Sequence, residues 1–182
     1  MTAFEFVFPL FGLLVGLTYT EMLSGLARAL KSSRHVRIGW LVPLLGVLVL
    51  INLTMFWYGA WQMRDMAMPT SGTLLLTLLV GGTYYLAASM VFPNVEDAVT
   101  DLDEHFVRTR RTSLIAIAFC NMLGLGLVAN NSGWSMEPIW WVVNALFLMV
   151  LIATAYLNNR RLVAGLLVVM IAIHGLGVLL GR

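Results

Sequence analysis

An acidic residue lies inside an apolar stretch near the start of this 182-residue chain. Glu21 belongs to the segment FGLLVGLTYTEMLSGLARALK, residues 11–31, which has the length and apolarity of a membrane-spanning helix. A carboxylate at that depth costs about 2.5 kcal/mol or more, so such a residue usually faces a protein interior or a watery cavity. Thr18, Ser24 and Arg28 share its helix face by their spacing. This pattern predicts an ionisable site for a proton or a cation.

The sequence does not offer Glu21 an obvious charged partner on its own helix. Arg28 lies two turns further on, about 10 Å along the axis, which is too far for direct contact unless both side chains bend. We therefore expect Glu21 to be protonated or to bond to an amide on another helix.

Amide and imidazole side chains occur in four other apolar segments. They are Asn52, Asn121, Asn144 and His174. One interpretation is that they form hydrogen bonds across helices and fix the packing, each worth about 0.6 kcal/mol. The other is that, with Glu21, Thr18 and Ser24, they line a pathway for a cation or a proton. A lone histidine in a membrane segment is more often a packed hydrogen-bonding residue than a ligand, and His174 is interpreted so.

No residues have the spacing of a metal site or a catalytic motif. Cys120 and His174 lie on separate segments and are too few for zinc, and His35 and His105 lie in predicted loops, away from any haem position. A glycine-rich phosphate loop and a serine-protease motif are also missing from the sequence. We predict no metal, no cofactor and no enzymatic activity.

The composition indicates a lipid environment. Hydrophobic residues make up 60% of the chain and charged residues 11%, whereas a soluble domain carries roughly 25% charge. The mean hydropathy is +0.88 and the pI is near 9.0. Because the basic residues lie at the ends of apolar segments and form no face of their own, nucleic-acid binding is not expected.

We predict an all-α protein, a single domain of six transmembrane helices. The expected spans are about 4–30, 38–63, 72–92, 113–129, 139–157 and 162–181. A helix needs about 20 residues to cross a hydrocarbon core of about 30 Å, and the fourth span is the shortest. A charged loop, 93–112, divides the chain three helices to three, so an inverted repeat is conceivable.

Basic residues are distributed unevenly among the loops. One set lies in the loops after the first, third and fifth helices and comprises Arg28, Lys31, Arg34, Arg37, Arg108, Arg110, Arg111, Arg160 and Arg161. Only Arg64 and Arg182 lie on the other side. The positive-inside rule then places the first set in the cytoplasm and both termini outside. A multi-pass protein of the bacterial inner membrane is expected.

Two further features suggest contacts with other molecules. Small residues at i+4 spacing, Gly12, Gly16, Thr20 and Ser24, form a ridge for close helix contact and for a homo-oligomer through helix 1.

In the loop 93–112 acids precede bases, an order that suits the dipole of a short interfacial helix. The sharper interpretation is an element for gating or for docking a cytoplasmic protein. Its residues would be Asp101, Asp103, Glu104, Arg108, Arg110 and Arg111.

Three stretches carry a resemblance to known proteins: residues 11–46, FGLLVGLTYTEMLSGLARALKSSRHVRIGWLVPLLG; 52–61, NLTMFWYGAW; and 92–111, FPNVEDAVTDLDEHFVRTRR. The chain resembles an uncharacterised family of small bacterial polytopic membrane proteins with six helices. The shared features are a glycine-rich first helix, a basic first loop, an aromatic end of helix 2 and a charged loop after Phe-Pro. The resemblance implies a bacterial six-helix membrane protein and no particular reaction.

Two functions from different classes follow. The first is a small channel or transporter for a cation or proton, with Glu21 as the ionisable site. The second is a non-transporting scaffold, sensor or assembly subunit that docks a partner through its cytoplasmic loops. Transport predicts that Glu21 and the asparagines converge on a water-accessible cavity, whereas the second function predicts a dry, fully paired interior.

Overall fold

Helices account for nearly all of the described part of the chain. The computed structural model describes residues 3–32, 36–62, 71–93, 100–132 and 137–179. The helices are α1 (Ala3–Lys31), α2 (Leu41–Gln62), α3 (Ser71–Ser89), α4 (Leu102–Ser132), α5 (Pro138–Tyr156) and α6 (Arg160–Leu179). An isolated parallel bridge joins Arg37 to Asp101, and these described ranges contain no strand. The predicted all-α class is confirmed.

Three of the described helices are long and apolar enough to cross a membrane. These segments are Phe8–Lys31 in α1, Leu41–Trp61 in α2 and Pro138–Tyr156 in α5. In α3 the apolar stretch, Leu74–Ser89, is shorter. At 1.5 Å per residue, a helix of about 20 residues matches the hydrocarbon thickness of about 30 Å. Length and composition thus make α1, α2 and α5 candidate membrane spans.

The six helices pack in two layers of three. One layer contains α1, α2 and α6 in that order across it, and the other contains α3, α4 and α5. Across the layers α1 faces α3, α2 faces α4, and α6 faces α5. Helices α2 and α4 are therefore central. The contacts do not follow an inverted repeat, because α1 packs on α3 whereas α4 does not pack on α6 in the described residues.

The largest apolar core receives side chains from all six helices, chiefly from α2, α4, α5 and α6. Leu48, Leu114, Leu151 and Leu167, one from each of these helices, are fully buried there. Large apolar side chains also cover the outside of every helix. Examples, in the order α1 to α6, are Leu13, Val47, Leu75, Ile115, Val142 and Leu162. Soluble monomers rarely expose apolar surface so widely, so this exterior is typical of helices that face lipid.

Helix α1 uses its small residues in two different ways. A Cβ added at Gly12 would lie 3.2 Å from the Trp57 ring, and one added at Gly25 would lie 2.5 Å from Phe92. These glycines let α1 approach its neighbours closely. In contrast, Gly16 and Thr20 are exposed, and nothing lies within 4 Å of a Cβ added at Gly16. The ridge predicted from sequence is therefore divided between the interior and the surface.

Helix α4 is longer than the predicted fourth span. It contains 31 residues, about 46 Å at 1.5 Å per residue, and it includes most of the segment predicted as a separate charged loop. No proline or glycine occurs before Gly124 to interrupt it. Leu102 and Phe106 are each 1% exposed, so packing of its first turns continues the helix well beyond the apolar stretch.

Candidate functional site

Most charged side chains lie at one end of the bundle, and a cluster of aromatic rings lies at the other. At one end α1, α3 and α5 finish and α2, α4 and α6 begin; we call this the charged end. It carries Lys31, Arg37, Asp101, Asp103, Glu104, Arg108, Arg110, Arg111, Arg160 and Arg161. At the other, aromatic end, the ring of Phe8 lies 4.3 Å from that of Trp57 and 5.8 Å from that of Trp61, between centroids.

Two aspartates accept hydrogen bonds at helix N-termini, and one of them, Asp103, joins the start of α4 to the start of α2. Asp101 Oδ1 accepts the backbone N–H of Asp103 at 2.8 Å, and Asp103 Oδ1 accepts the backbone N–H of Leu41 at 3.0 Å. Each carboxylate thereby satisfies a free N–H at a helix N-terminus, where negative charge is also favoured by the dipole. A Cβ at Gly39 would collide with the Asp103 carboxylate. Both aspartates predicted to dock a partner thus have structural hydrogen bonds within the chain.

The backbone of the first loop pairs with the same region. The N–H of Arg37 donates to the carbonyl of Thr100 at 2.9 Å, and the N–H of Leu102 donates to the carbonyl of Arg37 at 3.1 Å. His105 Nε2 lies 3.3 Å from the carbonyl oxygen of Met90, just after α3. The beginning of α4 is therefore held by α2, by the first loop and by the end of α3.

Arg110 links α4 to the end of α5. Its guanidinium donates to the carbonyl of Leu157, the C-cap of α5, and through Nη2 to Asn158 Oδ1 at 3.1 Å. The residue is 3% exposed. A helix C-terminus favours a nearby cation, but burial lowers the pKa of Arg110 from its usual value, and the neighbouring Arg111 lowers it further. Arg110 is thus a buried structural contact.

The remaining charged residues of α4 lie at the surface. Glu104 and Arg108 form an i, i+4 ion pair with an Oε1 to Nη2 distance of 2.9 Å, and both side chains are mostly exposed. Arg111 places its guanidinium carbon 5.3 Å from the centre of the Tyr156 ring. Of the predicted docking residues, Glu104, Arg108 and Arg111 are therefore those accessible to a partner.

Glu21 pairs with Arg28, contrary to the expectation from axial distance. Arg28 Nη2 donates to Glu21 Oε1 at 3.2 Å, and the side chains are 37% and 27% exposed. The pair forms because both side chains are long and bend toward each other along the helix axis, so that together they cover the two turns. None of the described asparagines bonds to Glu21. The Nε of Arg28 is buried and has no hydrogen-bond partner among the described residues.

Asn52 and Asn121 do meet, at the centre of the bundle. Asn121 Nδ2 lies 3.2 Å from Asn52 Oδ1, 2.9 Å from the carbonyl of Ile117 and 3.5 Å from the hydroxyl of Tyr84. Asn52 Nδ2 donates to the carbonyl of Leu48 at 3.0 Å. Side chains of α2, α3 and α4 thus form one small polar network, in which the contact with Tyr84 is the longest and the weakest.

The other polar residues of the predicted pathway bond within their own helices. Thr18 Oγ1 donates to the carbonyl of Leu14 at 2.8 Å, and Asn144 Nδ2 donates to the carbonyl of Trp140 at 2.8 Å. His174 Nδ1 lies 3.2 Å from the carbonyl of Met170, and its ring centroid is 4.2 Å from that of Phe147. Ser24 is half-buried. The structure therefore joins Asn52 to Asn121 by a hydrogen bond between helices, whereas the hydrogen bonds of Glu21, Asn144 and His174 lie within their own helices.

Sequence reasoning missed two polar contacts between helices. Tyr84 is 2% exposed and contacts Asn121, yet it was not among the polar residues predicted from the sequence. The Tyr19 hydroxyl contacts the hydroxyl of Thr54 and lies 3.3 Å from the carbonyl of Leu50, which joins α1 to α2. A tyrosine inside an apolar segment is a signal of such a contact, because its hydroxyl needs a partner when buried.

Metal binding has no support in the described residues, where no group of three or more His, Cys, Asp and Glu side chains could hold an ion. Comparisons with family models, with curated proteins and with solved structures give no match for this chain. The proposed function therefore depends on the fold and the contacts of this chain.

Proposed function

We propose that this chain is a multi-pass membrane protein in which all six helices cross the bilayer, of the small bacterial six-helix type that its sequence resembles. In addition to the three candidate spans, α3, residues 113–132 of α4 and residues 162–179 of α6 contain no Asp, Glu, Lys or Arg. Apolar side chains cover the outside of these helices as well. The proposal extends the three-span finding to the whole bundle.

The uneven charge supports a topology. Basic side chains collect at the charged end, and the positive-inside rule places such an end in the cytoplasm of a bacterial inner-membrane protein. Both termini then lie on the opposite side of the membrane. The exposed rings of Tyr58 and Trp61 at the aromatic end are typical of a membrane–water interface.

Within that membrane protein, the proposed role is a non-transporting scaffold, sensor or assembly subunit. The observation that carries it is the pairing of the intramembrane polar groups into separate local sets. Asn52 and Asn121 bond to each other, Glu21 bonds to Arg28, and Asn144 bonds to its own helix. A transport pathway needs such groups along one continuous route, whereas this arrangement stabilises helix packing.

The docking surface in this proposal is the exposed part of the charged end. Since Asp101, Asp103 and Arg110 are engaged inside the chain, a cytoplasmic protein would contact the exposed Glu104 and Arg108. Nucleic acid is not proposed as a partner.

Flux measurements in liposomes test this role. Purified protein is reconstituted, and the movement of protons, Na⁺ and K⁺ is followed for wild type and for Glu21→Gln. We expect both to match protein-free liposomes, with a helical circular-dichroism spectrum as proof of folding. Flux by wild type that Glu21→Gln abolishes would overturn the proposal and establish transport.

A second candidate, a cation or proton channel formed between copies, has one observation in its favour. The Glu21–Arg28 pair is partly exposed on one copy, and Gly16 and Thr20 on the same helix are exposed without a neighbour at Gly16. Association through α1 would place several Glu21 side chains close together. In lipid, Gly16→Leu should then reduce energy transfer between labelled copies, whereas Gly165→Leu, at another exposed glycine with open space, should not.

A further inference from the structure

Four arginines gather where α4 meets the connection between α5 and α6. Arg110 and Arg111 belong to α4, and Arg160 and Arg161 begin α6; we call these residues the arginine cluster. Arg110 bonds to Asn158, and Arg161 is three residues further along the chain, within about 11 Å at 3.8 Å per residue. The four side chains therefore start from one small region of the charged end.

The arginine cluster has no counter-ion in the described part of the chain. The acids with ion pairs on α1 and α4 contact Arg28 and Arg108, and none of the described carboxylates pairs with a member of the cluster. From residue 138 to the end the sequence contains no Asp or Glu. Within the described residues, the hydrogen bonds of Arg110 go to neutral oxygens, those of Leu157 and Asn158.

Arg110 makes this imbalance costly. It is 3% exposed, and its Nε is buried without a hydrogen-bond partner among the described residues. A buried charge is unfavourable unless it is paired and hydrogen-bonded. The Leu157 carbonyl and the Asn158 amide supply hydrogen bonds but no negative charge. An anion next to the arginine cluster would supply it.

The depth of the cluster indicates which anion. This inference rests on the membrane arrangement proposed above, in which the candidate span of α5 ends at Tyr156 and Tyr156 therefore lies at a surface of the bilayer. The guanidinium of Arg111 lies over the ring of this residue, 5.3 Å from its centre. The phosphates of the lipid headgroups lie at this level, and basic sites between helices bind such headgroups.

We propose that the arginine cluster binds the phosphate of an anionic lipid headgroup. Arg111, held against Tyr156, and the exposed Arg160 and Arg161 supply N–H donors in the planar arrangement that suits phosphate oxygens. Arg110, behind them, adds positive charge from the protein side. The lipid phosphate thereby supplies the negative charge that no described carboxylate gives to the arginine cluster.

Native mass spectrometry of the detergent-solubilised protein tests the site. Phosphatidylglycerol or phosphatidylcholine is titrated into wild type and into Arg111→Ala/Arg160→Ala/Arg161→Ala. We expect wild type to prefer phosphatidylglycerol, and the triple variant to bind it about a hundredfold more weakly, from the typical contribution of each basic residue near a membrane surface. The matched control, Lys31→Ala/Arg37→Ala/Arg108→Ala, removes the same charge elsewhere at the charged end and should stay within about threefold of wild type.

Two results would overturn the proposal. Equal losses in both triple variants would mean that the basic charge acts as a diffuse field. Inorganic phosphate that displaces phosphatidylglycerol at the same concentration would mean a site for free phosphate. If the alanine variant does not fold, the corresponding triple lysine variant replaces it, with about tenfold weaker binding expected because the planar donors are lost, and a lysine variant as tight as wild type would also count against the site.

Discussion

Asp103 Oδ1 accepts the backbone N–H of Leu41 across 62 positions of sequence, at 3.0 Å. The residue that caps α2 therefore belongs to α4. Because the same stretch of α4 also bonds to the first loop and to the end of α3, the charged end is organised around the first turn of α4. The acids of this segment have a structural role that a sequence pattern for docking does not reveal.

Replacing Asp103 with alanine removes the cap of α2. We expect the free energy of unfolding to fall by about 1 kcal/mol, the usual value of an N-cap. Equilibrium unfolding in mixed micelles with increasing SDS measures the change. Asp103→Asn keeps an acceptor oxygen and should lose less than half as much.

A control for this cap is Glu104→Ala, next to Asp103 on α4. Glu104 is exposed and forms a surface ion pair with Arg108, and such pairs contribute little. We expect a change below about 0.5 kcal/mol. If Glu104→Ala were as damaging as Asp103→Ala, the cross-helix cap would not be the source of the stability.

Gly25→Ala tests the close approach of α1 to the end of α3. The added Cβ would lie 2.5 Å from Phe92 Cδ2, so the ring or the helix must move, at a cost of about 1–3 kcal/mol. Gly16→Ala, on the exposed face of the same helix, should instead be neutral or stabilising by up to about 1 kcal/mol. Thermal unfolding of the two variants gives the comparison, and an equal response would contradict the packing described for α1.

The contact between Asn52 and Asn121 is expected to couple the two residues energetically. A double-mutant cycle with Asn52→Ala, Asn121→Ala and the double variant should give a coupling free energy of about 0.6 kcal/mol, the average for hydrogen bonds between membrane helices. This coupling is calculated from the free energies of unfolding of wild type, the two single variants and the double variant. Asn144→Ala is the control, since Asn144 bonds to its own helix and should show no coupling to Asn52.

Arg110→Ala should be the most destabilising single change among the charged residues. It removes charge-assisted hydrogen bonds to the end of α5, each worth about 1.5–3 kcal/mol, although loss of a buried charge offsets part of this. We expect a net loss of about 2 kcal/mol in the free energy of unfolding. Arg108→Ala, at an exposed side chain, should cost below about 0.5 kcal/mol, and a larger effect there than at Arg110 would refute the assignment.

Helix positions were largely predictable from the sequence. The expected spans 4–30, 38–63 and 139–157 agree within a few residues with α1, α2 and α5. Each is a long apolar run, and the charged or turn-forming residues at its ends stop the helix locally. A short helix was expected in the loop 93–112, but its continuity with the fourth span was not predictable, because it depends on the burial of Leu102 and Phe106 against other helices. The expected span ends at residues 63 and 181 lie outside the described residues. Arg34, Arg64 and Arg182 lie outside them as well.

The sequence by itself determined the all-helical class, the apolar exterior and the accumulation of basic residues in alternate loops. These depend on composition and on the order of residues along one helix at a time. Tertiary structure decided that Asp103 caps α2, that Asn121 reaches Asn52 and Tyr84, and that Arg110 is buried at the end of α5. These contacts depend on which helices are neighbours and on the rotation of each helix about its axis. Both are set by the packing of all six helices together, which no local pattern contains.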